Sequence, residues 1–258
     1  MPGAKTTKTP KAKKRPKAKP PEAATPKSHT VYFAGELFSQ KHLLGNAYLA
    51  EAIYEKSHGK FLCILPQDLE PRGSHPHVIR DTDIHALLEC DLGLFSFDGP
   101  ELDSGTVVEF MLAKFADMPA VLLRTDFRAA GDQGKGDPWN LMCSFYPRTV
   151  SVSANSLALY KTASANRAKT APRVKADPVL KLAGQHAAAA AQLATEQIAT
   201  QVVRALNRAV ATKPTLAAPL RNDVYTWLAA MPGFRGKPKD LQKTYAALLA
   251  AKTARGLL

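Results

Sequence analysis

Six carboxylates, Asp81, Asp83, Asp91, Asp98, Asp103 and Glu109, fall close together near the middle of the chain. Glu109 is the most unusual of them. Its neighbours Val107, Val108, Phe110 and Met111 are apolar, so its carboxylate sits among groups that solvate a charge poorly. Each acid also has a structural reading. Asp98 before Gly99 is ordinary turn chemistry, Asp103 or Ser104 would cap a helix, and Glu109 could be a solvated helix residue, against which its apolar neighbours stand. Together the residue types point to a carboxylate-rich pocket. Neither a metal-ligand cluster nor a glycine-rich phosphate loop accompanies it, so no metal and no cofactor are expected.

Such side chains act together only where the fold gathers them. Thr30–Ala34 reads as a short buried strand ending at Gly35. Residues 40–58 carry Leu43, Leu44, Ala47, Leu49, Ala50, Ile53 and Tyr54 at helical spacing, closed by Gly59. Phe61–Leu65 is a second strand stopped by Pro66, and residues 66–77 are rich in turn formers. Val78–Glu89 has helical spacing, Asp91–Phe97 is a third strand, Ser104–Ala116 a helix and Ala120–Thr125 a fourth strand. After a glycine-rich loop (129–138), Thr149–Val152 is a short fifth strand. Continuous apolar strands alternating with helices predict an α/β fold, a five-stranded parallel sheet with helices on both faces. Ligands bind at the carboxyl ends of such strands. Tyr32–Gly35 and the run 97–109 are therefore expected to face one cleft, with Asp81, Asp83 and Asp91 around it.

The net charge of +13 is unevenly distributed along the 258 residues. Residues 1–27 hold 9 Lys or Arg against 1 acid, residues 28–160 hold 10 against 17, and residues 161–258 hold 16 against 4. The proline- and lysine-rich start buries too little apolar surface to offset its ordering entropy, so residues 1–28 are expected to be a disordered basic tail. A domain over 29–160, a polar linker over 161–177 and a helical C-terminal extension over 178–258 complete the expected organisation. Within the extension, 178–212, Thr215–Ala230 and Lys239–Ala254 have helical patterns. No run approaches the roughly 18 apolar residues of a membrane helix, and the basic start lacks the apolar stretch of a signal peptide. The three separate cysteines, Cys63, Cys90 and Cys143, sit in apolar runs and read as buried free thiols in a reducing compartment. A cytoplasmic location is expected, with the nucleus as the alternative raised by Lys13-Lys14-Arg15-Pro16-Lys17.

Four motifs occur in series: Tyr32-Phe33-Ala34-Gly35 at a strand end; Asp83, eight residues before Asp91; Asp103-Ser104-Gly105-Thr106-Val107-Val108-Glu109; and Asn140-Leu141-Met142. In order and spacing, over about residues 30–150, they resemble the nucleoside 2-deoxyribosyltransferase family. The resemblance implies a flavodoxin-like (Rossmann-like) fold, with 2′-deoxynucleosides and free nucleobases as ligands. It also implies a homo-oligomer whose subunits share sites. Glu109 would be the nucleophile, Asp83 the acid that protonates the leaving base, and Tyr32 the residue that orients Glu109. Asp103 would bind substrate, with Phe33 and Gly35 at the strand end. Asn140 and Met142 would reach the 5′ side of the sugar from a neighbouring subunit. Gln67, with Asp68 and Glu70, would contact the base. Asp103-Ser104-Gly105-Thr106 lies closer to the purine-specific branch, whose run is Asp-Asp-Gly-Ser. Members of the family often complete the pocket with their C-terminus.

Two other classes of function fit parts of the sequence. One is a hydrolase on the same scaffold, with water in place of the acceptor base and a deoxynucleoside or its 5′-monophosphate as substrate. The other is a basic nucleic-acid-binding protein without catalysis. The acidic balance of residues 28–160 weighs against phosphate contacts by the core and leaves them to the basic tail.

Overall fold

The computed structural model describes residues 28–69, 75–126, 140–170 and 189–258. The tail 1–27, Glu70 and the glycine-rich loop 129–138 lie outside the described residues, as do the readings made for them. Five strands form one sheet: β1 (His29–Ala34), β2 (Phe61–Ile64), β3 (Leu92–Ser96), β4 (Ala120–Arg124) and β5 (Thr149–Ser153). Their order is β2-β1-β3-β4-β5 and every pairing is parallel. This is the flavodoxin-like order, in which the chain reverses its direction of travel between β1 and β3 and leaves a crevice at their carboxyl ends.

Strand residues alternate between two buried layers. Val31, Phe33, Leu92, Leu94, Val121 and Leu123 face one core, covered by α1 (Gln40–Lys56), α5 (Ser156–Thr170) and α6 (Ala189–Val210). Tyr32, Ala34, Phe95, Leu122 and Ala120 face the other, covered by α3 (Pro76–Glu89), α4 (Ser104–Phe115), α7 (Arg221–Ala230) and α8 (Pro238–Ala254). A one-turn helix α2 (Pro66–Leu69) follows β2. Burial on both faces is why these strands read as unbroken apolar runs.

The C-terminal part departs from its sequence reading. Residues 161–170, expected as linker, continue α5, because Leu159 and Ala163 have a face to bury against α6 and the sheet. Nor is the region from 189 onward an appendage. In α6, Val202 and Leu206 are fully buried over β4 and β5. Tyr225, Leu228, Phe234, Tyr245 and Leu249 enter the other core. The helix expected over 215–230 begins only at Arg221, after a short 3₁₀ turn at Ala218–Leu220. Thr215 and Leu216 instead donate their amides to Asp117 Oδ2, each at 2.8 Å.

The chain end is locked to the amino end of the sheet. Arg255 reaches Asp91 Oδ1 at 2.7 Å and the Ser28 carbonyl at 2.9 Å. Lys252 donates to the Cys90 carbonyl, and Arg148 to the Leu257 carbonyl at 2.9 Å. Leu257 and Leu258 are buried. Among the described residues no helix is long and apolar enough to cross a membrane. If α7 belongs to the core, Leu228→Ala leaves a cavity and lowers unfolding stability by about 3 kcal/mol. Urea denaturation followed by circular dichroism checks this. A single transition at lower urea is expected, whereas an independent appendage would leave the main transition in place.

Candidate active site

Tyr32 is held by its backbone from both sides, opposite Ile64 in β2 and Gly93 in β3. Gly93 makes room on the α3/α4 face: a Cβ there would stand 2.3 Å from the Phe95 ring. Phe95 meets Phe110 edge-on at 5.3 Å, and Phe110 meets Tyr146 likewise at 5.4 Å. These rings press α4 onto the sheet, and the residue before Phe110 is Glu109. The start of α4 is set by Asp103, whose Oδ2 accepts from the Thr106 amide at 2.7 Å and the Thr106 hydroxyl at 2.8 Å. Both readings of the Asp103–Glu109 run thus describe the same residues, since the cap fixes the helix that presents the glutamate.

The two anchors meet across 77 residues of sequence: Tyr32 Oη donates to Glu109 Oε1 at 2.7 Å. Burial pushes Glu109 up to about 7 from the usual carboxylate range. The Tyr32 hydrogen bond opposes that rise, and the charges of Asp83 and Asp103 add to it. Burial, then the adjacent Glu109 charge, holds the Tyr32 phenol far above its ordinary value, so it stays a neutral donor. A desolvated carboxylate divided between its two forms near neutrality is equipped for nucleophilic or proton-transfer chemistry.

The other candidate residues divide by position. Asp83, on the inner face of α3, acts electrostatically on both Tyr32 and Glu109, so the structure brings Tyr32, Asp83, Asp103 and Glu109 together. Gly35 ends β1 where a Cβ would crowd Ser96 Cβ at 3.1 Å. Phe33 points the other way; it is 2% exposed in the core under α1 and α6, so only its backbone is directed along the strand that ends at the crevice. Gln67, in α2, donates to the Leu43 carbonyl at 3.1 Å. Asn140 Oδ1 accepts from the Cys143 amide at 3.0 Å and fixes a turn on which Met142 is 79% exposed. No hydrogen bond joins Asn140 or Met142 to the Tyr32–Glu109 pair among the described residues.

Two of the carboxylates expected near the cleft lie elsewhere, and a third, Asp98, stands at it in a structural role. Asp91 lies at the opposite end of the sheet, paired with Arg255 and accepting from the Thr30 amide at 3.1 Å. Asp81 is engaged at the α7–α8 loop, pairing with Arg80 at 3.2 Å and accepting from the Arg235 amide at 2.8 Å. Asp98 fastens the end of β3 to that of β4, accepting from Thr125 N at 2.5 Å, Thr125 Oγ1 at 2.6 Å and Asp126 N at 2.9 Å. Asp98 also borders an open cleft of about 470 Å³ with Glu36, His42, Gly99, Thr125, Asp126 and Ser156. Phe38, just beyond Gly35, was not singled out by residue type, yet it is 80% exposed. Its place three residues after a strand-ending glycine is the signal that would have found it. Among the described residues no group of three or more His, Cys, Asp or Glu side chains is placed to hold a metal ion.

Comparison with known proteins gives one family model, Nucleoside 2-deoxyribosyltransferase, matching residues 31–142. Among solved structures, a conserved protein from Enterococcus faecalis V583 is similar, at 34% identity over 41% of this chain and 69% of that one, with a TM-score of 0.37. No curated protein matches. The matched segment runs from β1 through the Asn140–Met142 turn and contains Tyr32, Asp83, Asp103 and Glu109, so residues 31–142 carry the nucleoside 2-deoxyribosyltransferase domain match, over less than half of the chain.

Proposed function

We propose that this protein exchanges the nucleobase of 2′-deoxynucleosides by double displacement through Glu109, within nucleoside salvage. The observation that carries the reading is the buried Glu109 carboxylate, raised to about 7 and held by the Tyr32 hydroxyl at 2.7 Å. Glu109 attacks C1′ of the donor, forming a C1′–O ester bond as the C1′–N bond breaks. The electron pair leaves on the base nitrogen, which takes a proton from Asp83. An acceptor base then attacks C1′ from the vacated face, expelling the Glu109 carboxylate and returning its N–H proton to Asp83. Two inversions give net retention, as in retaining glycosidases. With Tyr32 bonded to Oε1, Oε2 is the oxygen left to make the ester.

Substrate contacts follow from position. Asp103 uses Oδ2 as the helix cap, which leaves Oδ1 for the substrate. Exposed Phe38 offers a flat apolar face on which a base can stack. Gln67 lies on the loop side suited to base contacts. The exposed Met142 and the turn held by Asn140 suit a contribution to the site of a neighbouring copy at the 5′ side of the sugar. The Asp103-Ser104-Gly105-Thr106 run favours purine donors and acceptors. Leu257 and Leu258 are buried at the other end of the sheet, where Arg148 donates to the Leu257 carbonyl.

Incubation with 2′-deoxyinosine, with and without adenine, tests transfer against hydrolysis. Hypoxanthine release that depends on adenine, with 2′-deoxyadenosine formed, is expected; release indifferent to adenine would assign the protein as a hydrolase. Thymidine in place of 2′-deoxyinosine is expected to be a poor donor. Glu109→Ala should abolish exchange while its circular dichroism spectrum stays that of the parent.

The pH profile follows from the sign of the Tyr32 contribution. The Tyr32 hydrogen bond favours ionised Glu109 and so holds its pKa down. Tyr32→Phe therefore moves the acidic limb of kcat/KM to higher pH and lowers activity most below neutrality. An unmoved limb would mean that Glu109 is not the titrating nucleophile.

A further inference from the structure

The nucleoside site uses none of the chain's positive charge, and part of that charge is gathered in one described place. Residues 221–243, spanning α7, α8 and the loop between them, hold five basic residues against Asp223 and Asp240. Arg235, Lys237, Lys239 and Lys243 are all exposed, and Lys239 and Lys243 share one face of α8 at i,i+4 spacing. Among the described residues none of the three lysines is in an ion pair.

The loop is fastened to the start of α3. Arg80 donates to the Pro232 carbonyl, Arg235 Nε lies 2.9 Å from His77 Nδ1, and the Arg235 amide donates to Asp81. Asp81 is already engaged by Arg80 at 3.2 Å, so it offsets little of the lysine charge. At the same end of the helical pair stands Trp227, 63% exposed, one turn before Met231, whose amide donates to the Trp227 carbonyl at 2.8 Å.

An exposed indole and exposed lysines carried on one helical hairpin are the groups that unstacked nucleic acid needs: a platform for a base and cations for the flanking phosphates. A duplex hides its base faces, and an acidic protein surface has no call on the ring. We propose that the α7–α8 hairpin is a docking surface for single-stranded nucleic acid. Trp227 stacks on an unpaired base, and Lys237, Lys239 and Lys243 hold the phosphates on either side. This surface is separate from the nucleoside site and stands or falls independently of it.

Fluorescence anisotropy of a fluorescein-labelled oligothymidylate, titrated with the full chain over a range of salt, tests the surface. The basic tail also attracts polyanions, so the reading is the difference between variants. Lys237→Glu with Lys239→Glu should weaken binding at least about tenfold at low salt and flatten the log–log salt dependence by about 1.4, at ~0.7 per phosphate contact. Trp227→Ala should weaken binding about fivefold or more with the salt slope unchanged. Both variants should keep the parent's thermal melt, since the altered side chains are exposed. Wild-type affinity in either variant overturns the proposal and leaves binding to the tail. Equal losses towards a duplex of the same length, or towards phosphatidylserine vesicles, overturn it in favour of a general polyanion surface.

Discussion

A carboxylate removed from water but still able to ionise is the constraint around which this structure is arranged. Burial alone would leave Glu109 protonated and inert as a nucleophile; full exposure would leave it hydrated and ordinary. The 2.7 Å bond from Tyr32 sets the balance between them, and that bond requires two distant segments to hold their places within a few tenths of an ångström. β1 lies inside the sheet, paired on both sides, so Tyr32 cannot shift without breaking a ladder. α4 is capped by Asp103 at one end and pressed down by Phe110 beyond the glutamate. Asp83 and Asp103 raise the carboxylate's proton affinity from nearby, so the acids are mutually tuned rather than separate tools.

The legible parts of this fold were those with a local physical signature. The strands declared themselves because burial on both faces demands continuous apolar runs, and the Asp103 cap because its residue type and spacing are those of a helix start. Glu109 was conspicuous for its apolar neighbours. Its bond to Tyr32 joins residues far apart in sequence, and no periodicity reports such a contact; the series of family motifs did. Residue type also could not say which end of a strand an acid occupies. Asp91 precedes β3 and Asp98 follows it, so only one of them stands at the carboxyl end, and there it fastens two strands together. Phe33 illustrates the two-residue period of a strand: next to Tyr32, it belongs to the opposite core.

The C-terminal helices had a visible apolar face but no visible partner for it. Their partner is the sheet itself. Helix α6 closes the layer over β4 and β5, and the α7–α8 pair completes the layer shared with α3 and α4. The anchors at Asp91, Cys90 and Arg148 keep the chain end away from the crevice. The uneven charge follows this division. The acidic middle of the chain holds the Tyr32–Glu109 pair, and the basic C-terminal helices carry exposed positive groups such as Lys237, Lys239 and Lys243.

The covalent step at Glu109 is the centre of this account, and mass spectrometry of acid-quenched protein tests it most directly. With 2′-deoxyinosine as donor and no acceptor base, the peptide containing Glu109 should gain the mass of one deoxyribosyl group, and a chase with adenine should remove it. Turnover without that adduct, or an adduct on another residue, would contradict the assignment.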